Sequence, residues 1–285
     1  MTDPGTTTPP TPPTPAPTPA PPEPPAEPPG HDLLAGKVAV VTAAAGTGIG
    51  SATARRLLAE GATVVVSDAH ERRLTETAAR LVGTPRADGS GSDEPLAVPC
   101  DVTDEDQVRS LFAAVVDAHG RIDVVVNNAG LGGTVDIVDM TDEQWARVVD
   151  VTLTGTLRCT RAALRHLLPR RSGVIVNNAS VLGWRAQAGQ AHYAAAKAGV
   201  MALTRTAAVE GAPHGVRVNA VAPSLAMHPF LGKVISDEVL DELARREAFG
   251  RPAEPWEVAT VIAFLASDYS SYMTGEVVSV SSQHP

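Results

Sequence analysis

Apolar residues fall along this chain in two alternating patterns. Short valine-rich runs alternate with longer stretches in which apolar positions recur every three or four residues. The first pattern suits a strand buried on both faces, the second an amphipathic helix. Residues 37–42, 64–66, 96–100, 123–126, 174–176, 216–221 and 277–280 therefore predict seven strands. Residues 51–60, 71–81, 105–118, 142–168, 190–211, 236–248 and 256–267 predict helices, the fourth and fifth of them long. Gly61 stands where a helix end favours a left-handed residue. Residues 83–95, rich in Gly, Pro, Ser and Asp, predict a surface loop. Strand–helix alternation means parallel pairing and right-handed crossovers. The expectation is an α/β fold, one doubly wound parallel sheet of about seven strands with helices on both faces.

Composition changes this picture at one end. The first thirty residues hold 14 of the 24 prolines and little apolar surface, so residues 1–30 predict a disordered, solvated Pro/Thr-rich tail. Residues 31–285 are then one domain with a sizeable core. The formal net charge is −9, with no basic run. This argues against nucleic acid and anionic membrane as partners. No run of eighteen apolar residues suggests a bilayer span. Cys100 and Cys159 are the only cysteines, too few for a disulfide framework or a thiolate zinc site. A reducing, cytoplasmic location is expected. The eight histidines show no metal-ligand spacing, and no metal is expected.

The first strand runs into a turn, residues 42–50, containing Gly46, Gly48, Ile49 and Gly50, and a helix follows. Glycines let backbone approach a phosphate, and the helix N-terminus offers free N–H groups. Dinucleotide binding is the expectation. The second strand ends at Asp68, which can accept hydrogen bonds from ribose hydroxyls and repel a 2′-phosphate. NAD is expected over NADP, although His70, Arg72 and Arg73 lie close by.

Tyr193 and Lys197 are four apart in a helical stretch and share a face. A phenol titrates near pH 10 and is a poor base at neutral pH, but a neighbouring ammonium lowers that value. Tyr193 would then exchange a proton with an alcohol or ketone oxygen, and Ser180, after the fifth strand, would hold that oxygen. His192 beside Tyr193 points elsewhere and is expected to be structural.

The chain resembles the short-chain dehydrogenase/reductases over roughly residues 33–281. The carriers are Gly46–Gly50, Asp101-Val102-Thr103, Asn127-Asn-Ala-Gly130, Ser180, Tyr193 with Lys197, and Asn219 to Pro223. Within that family it is similar to actinobacterial dehydrogenases of steroid-ring breakdown that act on hydroxy-indane carboxyl-CoA thioesters. The segments 178–187 and 278–283 carry this narrower match.

The resemblance implies a Rossmann-type fold and a nicotinamide cofactor. Asp101 and Val102 would meet its adenine. Asn127, Ala129, Gly130 and Pro223 would line it, and Lys197 would hold its ribose. It implies hydride transfer between a secondary alcohol or ketone and NAD, with Tyr193, Ser180, Lys197 and Thr152 catalytic. The other readings are an NADPH-linked carbonyl or ketoacyl reductase, and a dinucleotide-binding sensor or scaffold without turnover.

Three departures stand out. Ala43 to Ala45 and one extra residue alter the phosphate turn. Thr152 stands where the family's proton relay carries an asparagine. His228 replaces the threonine that holds the carboxamide. The long helices carry apolar residues on several faces, namely Val148, Val149, Leu153, Leu157 and Leu164, then Val200, Leu203 and Val209. A homotetramer or dimer is expected. Residues 223–256 are expected to form a lid. Met227, Phe230, Leu231 and Ile235 would face the substrate, and Lys233, Arg245, Arg246 and Arg251 would be candidates for CoA phosphates.

Overall fold

A computed structural model describes residues 21–226 and 237–282, with side chains of 237–239 left undescribed. Seven strands form one parallel sheet in the order β3-β2-β1-β4-β5-β6-β7. They are β1 (Val38–Val41), β2 (Thr63–Asp68), β3 (Leu96–Pro99), β4 (Val124–Asn127), β5 (Gly173–Asn178), β6 (Val216–Pro223) and β7 (Val277–Val280). Every pairing is parallel, and β1 lies between β2 and β4 in matched register, Val40 beside Val65 and Val125.

The valine-rich strands are buried on both faces, which explains their unbroken apolar runs. In β1, Ala39 and Val41 enter one core layer, Val38 and Val40 the other. The first layer packs the sheet against α1 (Ile49–Ala59), α2 (Glu71–Leu81) and the last helix, here α8 (Pro255–Ala266). The second packs it against α3 (Glu105–His119), α5 (Gly155–Arg170) and the end of α6 (Ala191–Gly211). α4 (Asp142–Val149) precedes α5, and α7 (Asp237–Arg246) precedes α8.

Local chemistry fixes the helix ends. Asp104 caps α3 by accepting from the Asp106 and Gln107 amides, and Gly120 closes it in the left-handed region. Thr141 and Gln144 form a capping box on α4, and Glu254 and Glu257 do so on α8, with Pro255 at its first position.

The long helix expected over residues 142–168 is interrupted. Residues Asp150–Thr154 form a π-helical turn, in which the Gly155 amide donates to Asp150 O. Such one-residue expansions re-aim side chains and recur at functional sites.

Residues 21–30 hold no helix or strand, yet the end of the expected tail is tied down. Glu27 pairs with Arg55, and Arg56 donates to the carbonyls of Pro28 and Pro29. Arg56 also pairs with the buried Glu60, which accepts from the His31 and Leu33 amides. A Cβ on Gly30 would meet the Ala59 carbonyl oxygen at 2.0 Å, so the chain passes α1 too closely for a side chain.

Cys100 and Cys159 are buried free thiols whose pKa values burial pushes up. Among the described residues no helix is long and apolar enough to cross a membrane, and no cluster of metal-ligating side chains occurs.

Candidate functional site

The strand order reverses between β1 and β4, where one crossover leaves to each side. In such sheets the crevice beyond the carboxyl ends of the strands receives ligands. The singled-out residues gather there, on the segments leaving β1, β2, β3, β4 and β5.

Gly48, the N-cap of α1, has no side chain to cap the helix, so it offers the first amides no competing side-chain oxygen. A Cβ on Gly50 would lie 2.3 Å from Ala43 O and 2.5 Å from Asn128 Nδ2, so only glycine permits this approach. The lengthened turn holds two residues at positive φ, one of them an alanine. Ala43 takes φ 49° and Gly46 φ 95°. Glycine is at ease there and alanine is not.

Asp68 ends β2 beside this turn. Its carboxylate accepts from the Ala45 amide at 3.2 Å and the His70 amide at 2.9 Å. Burial raises its pKa, against the Ala45 hydrogen bond and the charge of Arg73. The next residues, 69–73, line an open hollow of about 460 Å³. After β3, Asp101 accepts from the amide and hydroxyl of Thr103, and Val102 packs against Gly155 at the π turn.

After β4 the two asparagines divide their work. The Asn127 amide is buried and donates to Thr160 Oγ1 and Asn177 Oδ1, while Asn177 donates to Thr204. This network joins β4 and β5 to α5 and α6. Asn128 faces the crevice. Its amide donates to the carbonyls of Thr42 and Ala43, its oxygen accepts from Asn178, and its backbone N–H donates to Thr42 Oγ1. Asn128 therefore ties the phosphate turn to β4 and β5, a role the motif alone did not separate from that of its neighbour. A Cβ on Gly130 would meet Lys197 Nζ at 3.3 Å, so glycine leaves room beside that ammonium. Ala129 lies between them, its amide donating weakly to Thr42 Oγ1.

The helical spacing of Tyr193 and Lys197 is realised, with Lys197 Nζ 5.5 Å from the phenol ring centroid. Lys197 is buried, and its ammonium donates to Asn178 O at 2.5 Å. Ser180 Oγ accepts from the Leu182 amide and hydrogen-bonds the Tyr193 phenol. Burial pushes Tyr193 up, with only the Ser180 hydrogen bond opposing it, and pushes Lys197 down to about 8.

Thr152 sits on the π turn, fully buried. Its hydroxyl accepts from the Leu131 amide at 3.0 Å and donates to Leu131 O at 3.1 Å, while its methyl faces Gly130. The hydroxyl thus holds the loop after β4. His192 is buried and its Nδ1 accepts from the Tyr193 amide, in keeping with a structural role. Pro223 is buried at the end of β6. His228, Met227, Phe230, Leu231, Lys233 and Ile235 lie outside the described residues. Of the cations proposed for CoA, Arg245 and Arg246 pair with Glu242 on the surface of α7. Arg251 is held by both oxygens of Glu257.

A family model described as enoyl-(acyl carrier protein) reductase matches residues 43–282. A Mycobacterium tuberculosis protein named (5R,7aS)-5-hydroxy-7a-methyl-1-oxo-2,3,5,6,7,7a-hexahydro-1H-indene-carboxyl-CoA reductase is 66% identical over 257 residues, 90% of this chain and 96% of that protein. The 3-oxoacyl-acyl-carrier-protein reductase of Thermotoga maritima is 40% identical over 87% of this chain and 97% of its own. The crystal structure of a short chain dehydrogenase from Mycobacterium smegmatis is 60% identical, with TM-score 0.80, and covers 92% of this chain and 99% of that one. With the sheet order and these relatives together, the chain belongs to the short-chain dehydrogenase/reductase family and is an oxidoreductase acting on CH–OH or C=O groups.

Proposed function

We propose that this enzyme exchanges hydride between a nicotinamide dinucleotide and a ring alcohol or ketone carried on a CoA thioester. The observation that carries the reading is the convergence of Ser180, Tyr193 and Lys197 beside Gly130 and the uncapped start of α1. The ring-CoA substrate class rests on the M. tuberculosis relative.

The residues fit a dinucleotide. The α1 amides suit its pyrophosphate. Asp68 retains lone pairs for ribose hydroxyls, and its charge favours NAD over NADP. Gly130 leaves space against Lys197. When bound, the dinucleotide supplies or accepts the hydride.

In reduction, Ser180 donates a hydrogen bond to the carbonyl oxygen, its own oxygen steadied by the Leu182 amide. Tyr193, kept as a phenol by burial, gives its proton to that oxygen. Lys197, anchored on Asn178 O, places positive charge beneath the phenol ring and favours the phenolate left behind. In oxidation the same groups run in reverse. Thr152, with its hydroxyl on Leu131, holds the loop that carries Gly130.

The test is turnover of fused-ring ketones and alcohols as CoA thioesters and as free acids, with NADH and NADPH, read at the nicotinamide absorbance. Turnover of the thioesters with NADH and slower reaction of the acids is expected. Preference for NADPH would support the second reading, an NADPH-linked carbonyl reductase, which the acyl-carrier reductase relative favours. Dinucleotide binding without turnover of any alcohol or ketone would leave the sensor reading.

A further inference from the structure

The phosphate turn is gripped from α2 at Gly46. Gly46 donates its amide to Thr77 Oγ1 at 2.9 Å, and its carbonyl accepts from Arg80 Nη2 at 2.9 Å. Arg80 Nη2 also donates to Thr77 Oγ1 at 2.9 Å, and Thr77 donates to Arg73 O at 2.8 Å. Thr77 is fully buried. Its hydroxyl has one hydrogen and two acceptor sites, and all three are used.

Both polar groups of one turn residue are thus held by two side chains a helical turn apart. A Cβ built on Gly46 would meet nothing within 4 Å, so glycine is there for its φ of 95° and not for room. Nothing in the turn itself makes that conformation preferred. Ala43, at φ 49°, opposes it. Asn128 and Asp68 hold the turn at Ala43 and Ala45, and α2 adds the clamp at Gly46. Gly48 and the free amides of α1 follow two residues later, so the clamp sets where they point.

We infer that Thr77 and Arg80 are positioning residues that hold the lengthened phosphate turn in its dinucleotide-binding shape. This rests on the reading of the crevice as a dinucleotide site. The clamp touches neither the substrate side nor Tyr193, so it acts on dinucleotide affinity and leaves the proton-transfer groups in place.

Thr77→Val keeps the shape of the side chain and removes its hydroxyl, and Thr77→Ser restores the hydroxyl. Arg80→Met keeps length on an exposed position, so it folds even if Thr77→Val does not. The first measurement is hydrogen exchange at the Gly46 amide without any dinucleotide. Exchange at least tenfold faster in Thr77→Val, and unchanged in the strands, is expected. The second is NADH and NADPH binding by fluorescence titration. The dissociation constant of the preferred dinucleotide rises about tenfold in Thr77→Val, roughly threefold in Arg80→Met, and returns to wild type in Thr77→Ser. kcat at saturating dinucleotide stays within about twofold.

A Gly46 amide that exchanges freely in the wild type would overturn the clamp. So would unchanged dinucleotide affinity in both variants, or a fall in kcat with affinity intact. A wild-type protein that binds neither dinucleotide would instead bring down the proposed function, and the clamp's role with it.

Discussion

In the proposed mechanism Tyr193 acts through one ionisable oxygen, hydrogen-bonded to Ser180. Tyr193→Phe retains the ring under which Lys197 sits and removes that oxygen. The rate should fall by about 10²–10⁴, the usual worth of general acid–base help, while dinucleotide binding measured by titration holds. Retention of more than about a tenth of the wild-type rate would reject Tyr193 as the proton donor. The two displaced pKa values also set the pH response. Burial holds Tyr193 protonated beyond the ordinary phenol range and brings Lys197 down to about 8. Below pH 8 both groups carry the proton that ketone reduction uses. As pH climbs through about 8, Lys197 loses its charge first and stops favouring the phenolate. kcat/KM for reduction should therefore decline above pH 8, whereas alcohol oxidation, which starts from a deprotonated Tyr193, should rise on the alkaline side. Initial rates in both directions over pH 6–10 check this, and a reduction rate flat to pH 10 contradicts it.

At the scale of single elements, the phosphate turn is the strained one. A left-handed alanine costs about 1–2 kcal/mol. Ala43 stays there because its carbonyl accepts from Asn128, its neighbour's amide reaches Ser67 O, and Gly50 packs beneath it. Ala43→Gly removes the strain and adds about 0.5–1 kcal/mol of unfolded-state entropy. The balance is a gain of about 0.5–1 kcal/mol, or roughly 2 °C in Tm for a domain of this size. A melting curve shifted downward would show that the position is not strained. The π turn before α5 is the second irregular element. It faces Thr152 toward Leu131 and lets Gly155 accept the Val102 side chain, which couples the loops after β3 and β4.

For the whole molecule, the monomer leaves one side of the long helices open. Val148 and Val200 are core residues, and Leu153 packs on Gly199. In contrast Trp145, Leu157 and Val209 are exposed, the last at 75%, and all but one residue of α4 other than its final one are exposed as well. Apolar side chains at such positions favour a second copy over water, and symmetric contacts close without leftover patches. A homotetramer, or a dimer built on these helices, is expected by light scattering at micromolar concentration. Leu157→Glu with Val209→Glu should lower the mass by at least half. A monomeric wild type would refute the interface.

Several features were legible from the chain alone because they are local. Buried strands need unbroken apolar runs, and all seven were found within a few residues of their bounds. Tyr193 and Lys197 share a helix face by spacing, and the glycines at 48 and 50 mark a strand-to-helix turn. What required the folded chain depends on partners far apart in sequence. Asn128 reaches Thr42 and Ala43 across some 85 positions, Thr152 reaches Leu131 across 21, and Gly46 reaches Thr77 across 31. The end of the Pro-rich segment reads as solvated by composition, yet Arg56 of α1 donates to its Pro28 and Pro29 carbonyls. The direction of the Tyr193 shift was also a tertiary matter. Spacing puts the ammonium near the phenol, but only packing decides how much water is removed, and here burial outweighs the opposing Ser180 hydrogen bond.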